Sequence, residues 1–171
     1  MFKGTSASAG TGIGKAVIVE EAELVITRNE VADAEGEIQR FKGALEKTIA
    51  ATQKMADDLA SRVGEKEAEI MQGHMMLLSD PMLTGEIESS IRNDKVNSEF
   101  AIENICNMYA DMFASMGDEL MQQRATDMRD IKVRMQRTLM GLESVDVSLL
   151  PKGSILVAKD LTPSMTAGIN P

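Results

Sequence analysis

The amino-acid sequence predicts a mainly α-helical protein: an antiparallel four-helix bundle, with one helix broken, inserted into a truncated α/β domain. Three observations carry this. Apolar residues recur at three-to-four spacing through the long middle of the chain, the signature of helices that bury one stripe. A short β-branched run stands on each side of that block, Ala16 to Glu20 before it and Ser154 to Lys159 after it. The composition suits helix packing, because 43% of residues are apolar, aromatics are only 3%, tryptophan is absent and methionine reaches 14 copies.

Taken in order, residues 1 to 14 are rich in glycine, serine and threonine and lead into the first strand. The glycines do not form a phosphate loop. A Walker motif ending at Gly14-Lys15 needs glycine where Ala9 stands and a hydroxyl where Ala16 stands, and Gly10, Gly12 and Gly14 do not make G-x-G-x-x-G. The helical block is expected to begin near Ala32 or Asp33. Its first helix repeats Ile38, Phe41, Leu45, Ile49, Thr52, Met55, Leu59 and Val63. A second runs from Gly64 to Ser79, and Ser79-Asp80-Pro81 breaks it, with Asp80 as N-cap and Pro81 at the first position of a shorter third piece carrying Leu83, Ile87 and Ile91. Asn97 is placed to cap the next helix, with Ala101, Ile105, Met108, Met112 and Met116 facing one neighbour and Ile102, Tyr109 and Phe113 another. Gly117-Asp118 separates it from a last helix carrying Met121, Ala125, Met128, Ile131, Met135 and Leu139, which stops at Gly141. Beyond a linker, the second strand leads to a turn and a helix capped by Thr162 with Pro163 at its first position.

The stretch from Gly64 to Leu83 holds the lone histidine, His74, and the densest run of methionine and leucine. Ile70, His74, Leu77 and Leu78 fall near one stripe, and Met71, Met75, Met76 and Met82 widen it beyond one buried seam. Such a face meets the protein's own core and has room for a partner as well. Between Asp57 and Glu119 there are 14 acidic and 4 basic residues, a balance of −10, whereas Leu120 to Leu142 holds 2 acidic and 5 basic residues, a balance of +3. The acidic run reads either as a solvated face or as a docking surface for a small basic protein. The net charge of −9 disfavours nucleic acid and anionic membranes as partners. A single cysteine, Cys106, beside Ile105 and near Met108, reads as a buried reduced thiol rather than a reactive one. With neither an 18-residue apolar run nor an apolar segment at the N-terminus, a cytoplasmic protein is expected.

Four segments, ASAGTGIGKA, QGHMMLLSD, RATDMRDIKVRM and ILVAKDLTPSMTA, occur in an order that resembles Enzyme I of the bacterial sugar phosphotransferase system, the phosphoenolpyruvate-protein phosphotransferase family, along the whole chain. Ala9 departs from that family's frequent proline, and Met82 stands where an acidic residue is expected. The resemblance implies a transferase in which phosphoenolpyruvate phosphorylates a histidine of a split α/β phosphohistidine domain. The phosphoryl group then passes to the small carrier HPr, docked by the helical insert, in the service of sugar uptake. It divides the chain into residues 1–31 of the phosphohistidine domain, a helical HPr-binding domain at 32–142, and a truncated return at 143–171. It places the docking surface on Glu65, Glu67, His74, Met76, Leu77, Asp80, Leu83, Phe113, Met121 and Arg124. It further implies that the phosphorylated histidine lies beyond Pro171, so that His74 is an interface or partly buried residue and this chain alone is inactive. Magnesium, and the contacts of a homodimer, would belong to a C-terminal domain; no cofactor is expected in this chain. A paralogous phosphorelay of the nitrogen-related or dihydroxyacetone-kinase type, and a non-catalytic helical adaptor, are the alternatives.

Overall fold

The computed structural model describes residues 8–19, 24–62, 64–142, 147, 150–159 and 161–168, without the side chains of residues 67, 163 and 168. It is mainly helical. Strand β1 (Lys15–Val19) is followed by helices α1 (Ala34–Arg62), α2 (Glu65–Leu78), α3 (Pro81–Asp94), α4 (Ser98–Ser115) and α5 (Glu119–Met140), then by β2 (Ser154–Ala158) and the short helix α6 (Pro163–Gly168).

Helix α1 starts at Ala34 because Asp33 caps it. The Asp33 carbonyl accepts from the Glu37 N–H at 3.1 Å and its carboxylate from the Gly36 N–H at 2.9 Å. Gly36 leaves room for that carboxylate, since a Cβ there would stand 2.4 Å from Asp33 Oδ2. The helix buries Ile38, Phe41, Ala44, Thr48, Thr52, Ala56 and Leu59, and the two threonine hydroxyls donate to carbonyls one turn back. Val63 lies outside the described residues, so the end of the predicted stripe is not placed.

The break between α2 and α3 falls where the sequence predicts it. Asp80 Oδ1 accepts from the Met82 N–H at 2.8 Å, and Pro81 occupies the first turn. Helix α3 buries Leu83, Ile87 and Ile91 along one stripe. Asp118 likewise caps α5, accepting from the Met121 N–H at 3.1 Å, and Gly141 at φ 66° closes it in the left-handed conformation that favours glycine.

Helix α4 departs from expectation twice. Asn97 precedes it, but its side chain does not cap it: Oδ1 accepts from the Asn29 N–H at 2.9 Å and Nδ2 donates to Glu99 at 3.0 Å. The cap comes from α1, where Glu37 Oε1 accepts the Ser98 N–H at 2.7 Å. Asn97 is thus free to tie residues 27–29 onto the helices, a task that Asn97 N–H and the Asn29 carbonyl share at 3.0 Å. The second departure is the methionine stripe. Ala101, Ile102, Cys106 and Ala110 are buried, whereas Met108, Met112 and Met116 are 51%, 43% and 54% exposed. Cys106 is buried as predicted, and burial pushes its thiol up to about 12.

Ile38, Phe41, Leu78, Leu83, Ile87, Ile91, Ile102, Met128, Ile131 and Met135 form the main core, drawn from all five long helices. The two strands pair in parallel, Lys15 with Ser154 through Val19 with Ala158, so the whole helical block is the crossover between them. Glu20, the predicted end of the first strand, lies outside the described residues, and β2 ends one residue before Lys159. The close approach at the strand ends requires Gly14, because a Cβ there would sit 2.0 Å from the Gly153 carbonyl oxygen. Val19, Val147 and Met165 form a small separate cluster beneath this pair.

Two expectations follow. Burial opposes the Glu37 charge, but the Ser98 donors and Arg40 outweigh it and hold the carboxyl below its ordinary range. A lowered carboxylate stabilises the fold above its unfolded value and loses that contribution as pH falls through the folded one. Glu37→Ala is therefore expected to cost about 1 kcal/mol at neutral pH by urea unfolding, with the gap to the parent chain closing well below the ordinary value of 4.5. The strands, with Ile18 at 68% and Val157 at 46% exposure, form a two-stranded sheet that is marginal in water. Hydrogen exchange is expected to be fast in both strands and slow from Ile38 to Leu139, with strand protection rising at high protein concentration if the edges pair between molecules.

Candidate functional site

Helix α2 sends its side chains two ways. Ala68, Met71, His74 and Leu78 point inward and are buried, at three-to-four spacing. Ile70 at 52% and Met76 at 71% exposure point outward, as do exposed Glu65 and Glu69.

His74 has no exposed surface, and each ring nitrogen faces a carboxylate. Nε2 lies 3.2 Å from Asp127 Oδ1, a hydrogen bond, and Nδ1 lies 3.6 Å from Asp130 Oδ2, an electrostatic contact. Asp127 and Asp130 are three residues apart on α5 and so share a face. Asp130 in turn reaches the far end of the chain, accepting from the Ser164 N–H at 3.2 Å and from its hydroxyl at 2.9 Å. The Ser164 hydroxyl also lies 3.0 Å from that of Thr162, at the start of α6. One turn before this pair, Arg124 Nη1 stands 3.6 Å from Asp127 Oδ2. One turn beyond it, the Arg134 guanidinium is buried between α5 and α1 and donates to the Thr52 hydroxyl at 2.6 Å. Burial pushes the Arg134 guanidinium below its ordinary value, and Asp130 works against that shift.

Arg124 and Asp127 also line an open cleft of about 610 Å³. Lys66, Glu69, Ile70 and Gly73 of α2 make one wall, Leu120, Gln123, Arg124, Thr126 and Asp127 of α5 another, and Leu161 and Thr166 the third. Arg124 crosses close over Gly73: a Cβ there would meet Arg124 Nη1 at 2.7 Å. The cleft offers two cations, two carboxylates and an apolar lip. The arrangement suits the binding and orienting of a charged protein group, while full burial shields the His74 nitrogens from any incoming reagent.

Of the residues assigned to the docking surface, Met76 and Glu65 are exposed, while Leu77, Asp80, Phe113, Met121 and Arg124 are half-buried. The side chain of Glu67 lies outside the described residues. His74 and Leu83 are corrected, because both are buried and neither presents a surface to a partner. His74 is turned inward by Asp127 and Asp130, and Leu83 belongs to the inward stripe of α3. Phe113 pairs with Tyr109 at 6.3 Å between ring centroids. Burial raises the Tyr109 hydroxyl, helped by Glu86 and Asp80, which puts this end of α4 beside the start of α3. Asp127, Asp130 and Ser164 were not singled out by the sequence, although a lone histidine on an apolar stripe calls for polar partners and RATDMRDI offers two carboxylates on one face.

Residues 3–124 match the family described as PEP-utilising enzyme, N-terminal. The chain is 39% identical over 169 residues to the phosphoenolpyruvate-protein phosphotransferase of Listeria monocytogenes and 38% identical over 169 residues to that of Bacillus subtilis. Each comparison covers 99% of this chain and 30% of the relative, so the chain spans about a third of the length of the curated relatives it matches. Among solved structures it is similar to an NMR solution structure of Enzyme I, with a TM-score of 0.87 and 34% identity over 99% of this chain and 69% of that one. An N-terminal domain of the nitrogen Enzyme 1 shares the fold, with a TM-score of 0.71 and 24% identity over 91% of this chain and 64% of that one.

The contact across Gly73 yields a test. Gly73→Ala adds helix propensity worth up to about 1 kcal/mol and collides only with the tip of a flexible arginine. Thermal unfolding is expected to be unchanged or slightly later, while the Arg124 Nε–Hε resonance shifts as the guanidinium is pushed off Asp127.

Proposed function

The chain belongs to the family of PEP-utilising enzyme N-terminal domains, and from that membership we propose that it is the carrier-docking part of an Enzyme I. In the intact protein the phosphoryl group of phosphoenolpyruvate passes through an active-site histidine to the phosphocarrier HPr for sugar uptake. Residues 32–142 are the helical HPr-binding domain, an antiparallel bundle of four helices with α2–α3 as the broken one. Residues 1–31 and 143–171 are the two ends of the phosphohistidine domain into which that bundle is inserted. The acceptor histidine, the phosphoenolpyruvate and magnesium site and the homodimer contacts belong to other parts of the intact protein, and the part played by this chain is to dock the carrier. It needs no cofactor of its own, and it works in the cytoplasm.

The observation that carries this reading is the corner between α2 and α3. Met76 and Met82 stand out from it at 71% and 66% exposure, within a stretch whose formal balance is −10. An apolar centre with an acidic surround fits a small basic carrier, where burial supplies affinity and charge supplies steering. Met76, Leu77, Phe113 and Met121 supply the apolar contacts, Glu65, Glu67 and Asp80 the acidic rim, and Arg124 a cation at the cleft edge. His74 and Leu83 support this surface from beneath. The sugar branch is preferred to the nitrogen branch because the 34–39% identical relatives are named phosphoenolpyruvate-protein phosphotransferase or Enzyme I without the nitrogen label, while the structure that bears that label, at 24% identity, shares the fold alone.

Titration with HPr of the same organism, followed by amide shifts and calorimetry, tests it. Met76→Asp puts a charge into the apolar centre without touching the core, and is expected to weaken binding at least tenfold, about 1.4 kcal/mol, with unchanged thermal unfolding. Affinity is expected to fall as salt rises, since exposed charges are screened beyond roughly 8 Å at physiological ionic strength. Binding indifferent to both would put the docking surface elsewhere.

A further inference from the structure

The three walls of the cleft come from segments far apart in sequence, and one polar chain joins them through the protein interior. It runs from His74 on α2 to Asp130 on α5 and on to Ser164 on α6. Every member is at least nine-tenths buried: His74 is 0%, Asp130 4% and Ser164 8% exposed. Buried polar groups hold their partners firmly, because water cannot replace a contact that is lost. Asp130 spends both carboxylate oxygens on Ser164, and one of them also faces His74 Nδ1. His74 Nδ1 has no hydrogen bond among the described residues, so its orientation is set by Nε2 on Asp127 and by the Asp130 charge.

We propose that His74 is a positioning residue for the docking cleft: acting through Asp130, it sets where the Leu161–Thr166 wall stands relative to the α2–α5 walls. This rests on the cleft being the carrier's site, but its geometry stands without the carrier. The imidazole spans two carboxylates, so a turn of α2 carries Asp130 with it, and Asp130 carries the first turn of α6. Thr166 stands one turn along; its N–H donates to the Thr162 carbonyl at 3.0 Å and it lines the cleft. Its amide therefore reports on the wall.

Amide hydrogen exchange at Thr166, measured on this chain without any carrier, tests the inference. A glutamine at 74 places a donor where Nε2 stands and loses the group facing Asp130; an asparagine places one near Nδ1 and loses the Asp127 bond. His74→Gln is expected to speed exchange at Thr166 at least tenfold, and His74→Asn to leave it within threefold of the parent. Ser164→Ala is expected to speed it by a similar factor, with Ser164→Thr restoring it. Because one path serves both residues, the double variant His74→Gln/Ser164→Ala is expected to exchange no faster than the faster single one. Equal effects of glutamine and asparagine, multiplicative factors in the double variant, or a matching rise at Cys106 and Ile131 would each overturn the proposal and leave His74 a residue of general stability. Failure of the parent chain to bind HPr would remove the docking reading and leave these rates untouched.

Discussion

A buried imidazole between two carboxylates is the constraint on which the arrangement of the site depends. Leaving the imidazole or Asp130 with no polar partner away from water would cost several kcal/mol, which opposes rotation of α2 about its axis. With His74 held inward against Asp127 and Asp130, the helical period decides the rest: Met71 and Leu78 turn into the core, and Ile70 and Met76 are left outside. The outward apolar face is in that sense a consequence of an inward polar one. Asp130 then extends the same constraint to α6 through Ser164, which brings an element from the end of the chain to the cleft.

The helices were largely legible in the sequence because their signals are local. The Asp80-Pro81 break, the Asp118 cap and the Gly141 stop each act within one turn, and each is found where the residues place it. The cap of α4 was not legible, because it is tertiary. Asn97 has the right side chain in the right place, yet the Ser98 N–H is satisfied by Glu37, sixty-one residues earlier. A propensity rule ranks what a residue is able to do; it does not know that a carboxylate on another helix has arrived first. The strand pairing was open for a similar reason, since parallel register is set by the long crossover and by Gly14 meeting Gly153, not by the two short runs themselves.

The site was legible in its residue types and only partly in its directions. The sequence marks His74 as unusual and the α2–α3 stretch as too apolar on too many sides for a single seam. Which members of that wide stripe face water is set by polar partners on another helix, and those lie more than fifty residues away. That is why His74 and Leu83, placed on the surface by resemblance, are found beneath it, while Met76 and Met82 stand clear.

Methionine shows the same limit from the side of packing. Met128 and Met135 of α5 are 1% exposed, whereas Met108, Met112 and Met116 of α4 lie in an equally regular stripe and are about half exposed. Counting bulky residues therefore misjudges α4. Its buried seam holds Ala101, Cys106 and Ala110 beside Ile102, and small side chains let two helices approach closely. The large residues of α5, Met128, Ile131 and Met135, fill the space that this approach leaves, in the one core to which both helices contribute. The α4 methionines, displaced from the seam by smaller neighbours, remain on the outside, and the end of that helix carries Phe113 and Tyr109 toward Asp80 and Glu86 at the start of α3. Small residues in the seam thus decide which large ones are left for a partner.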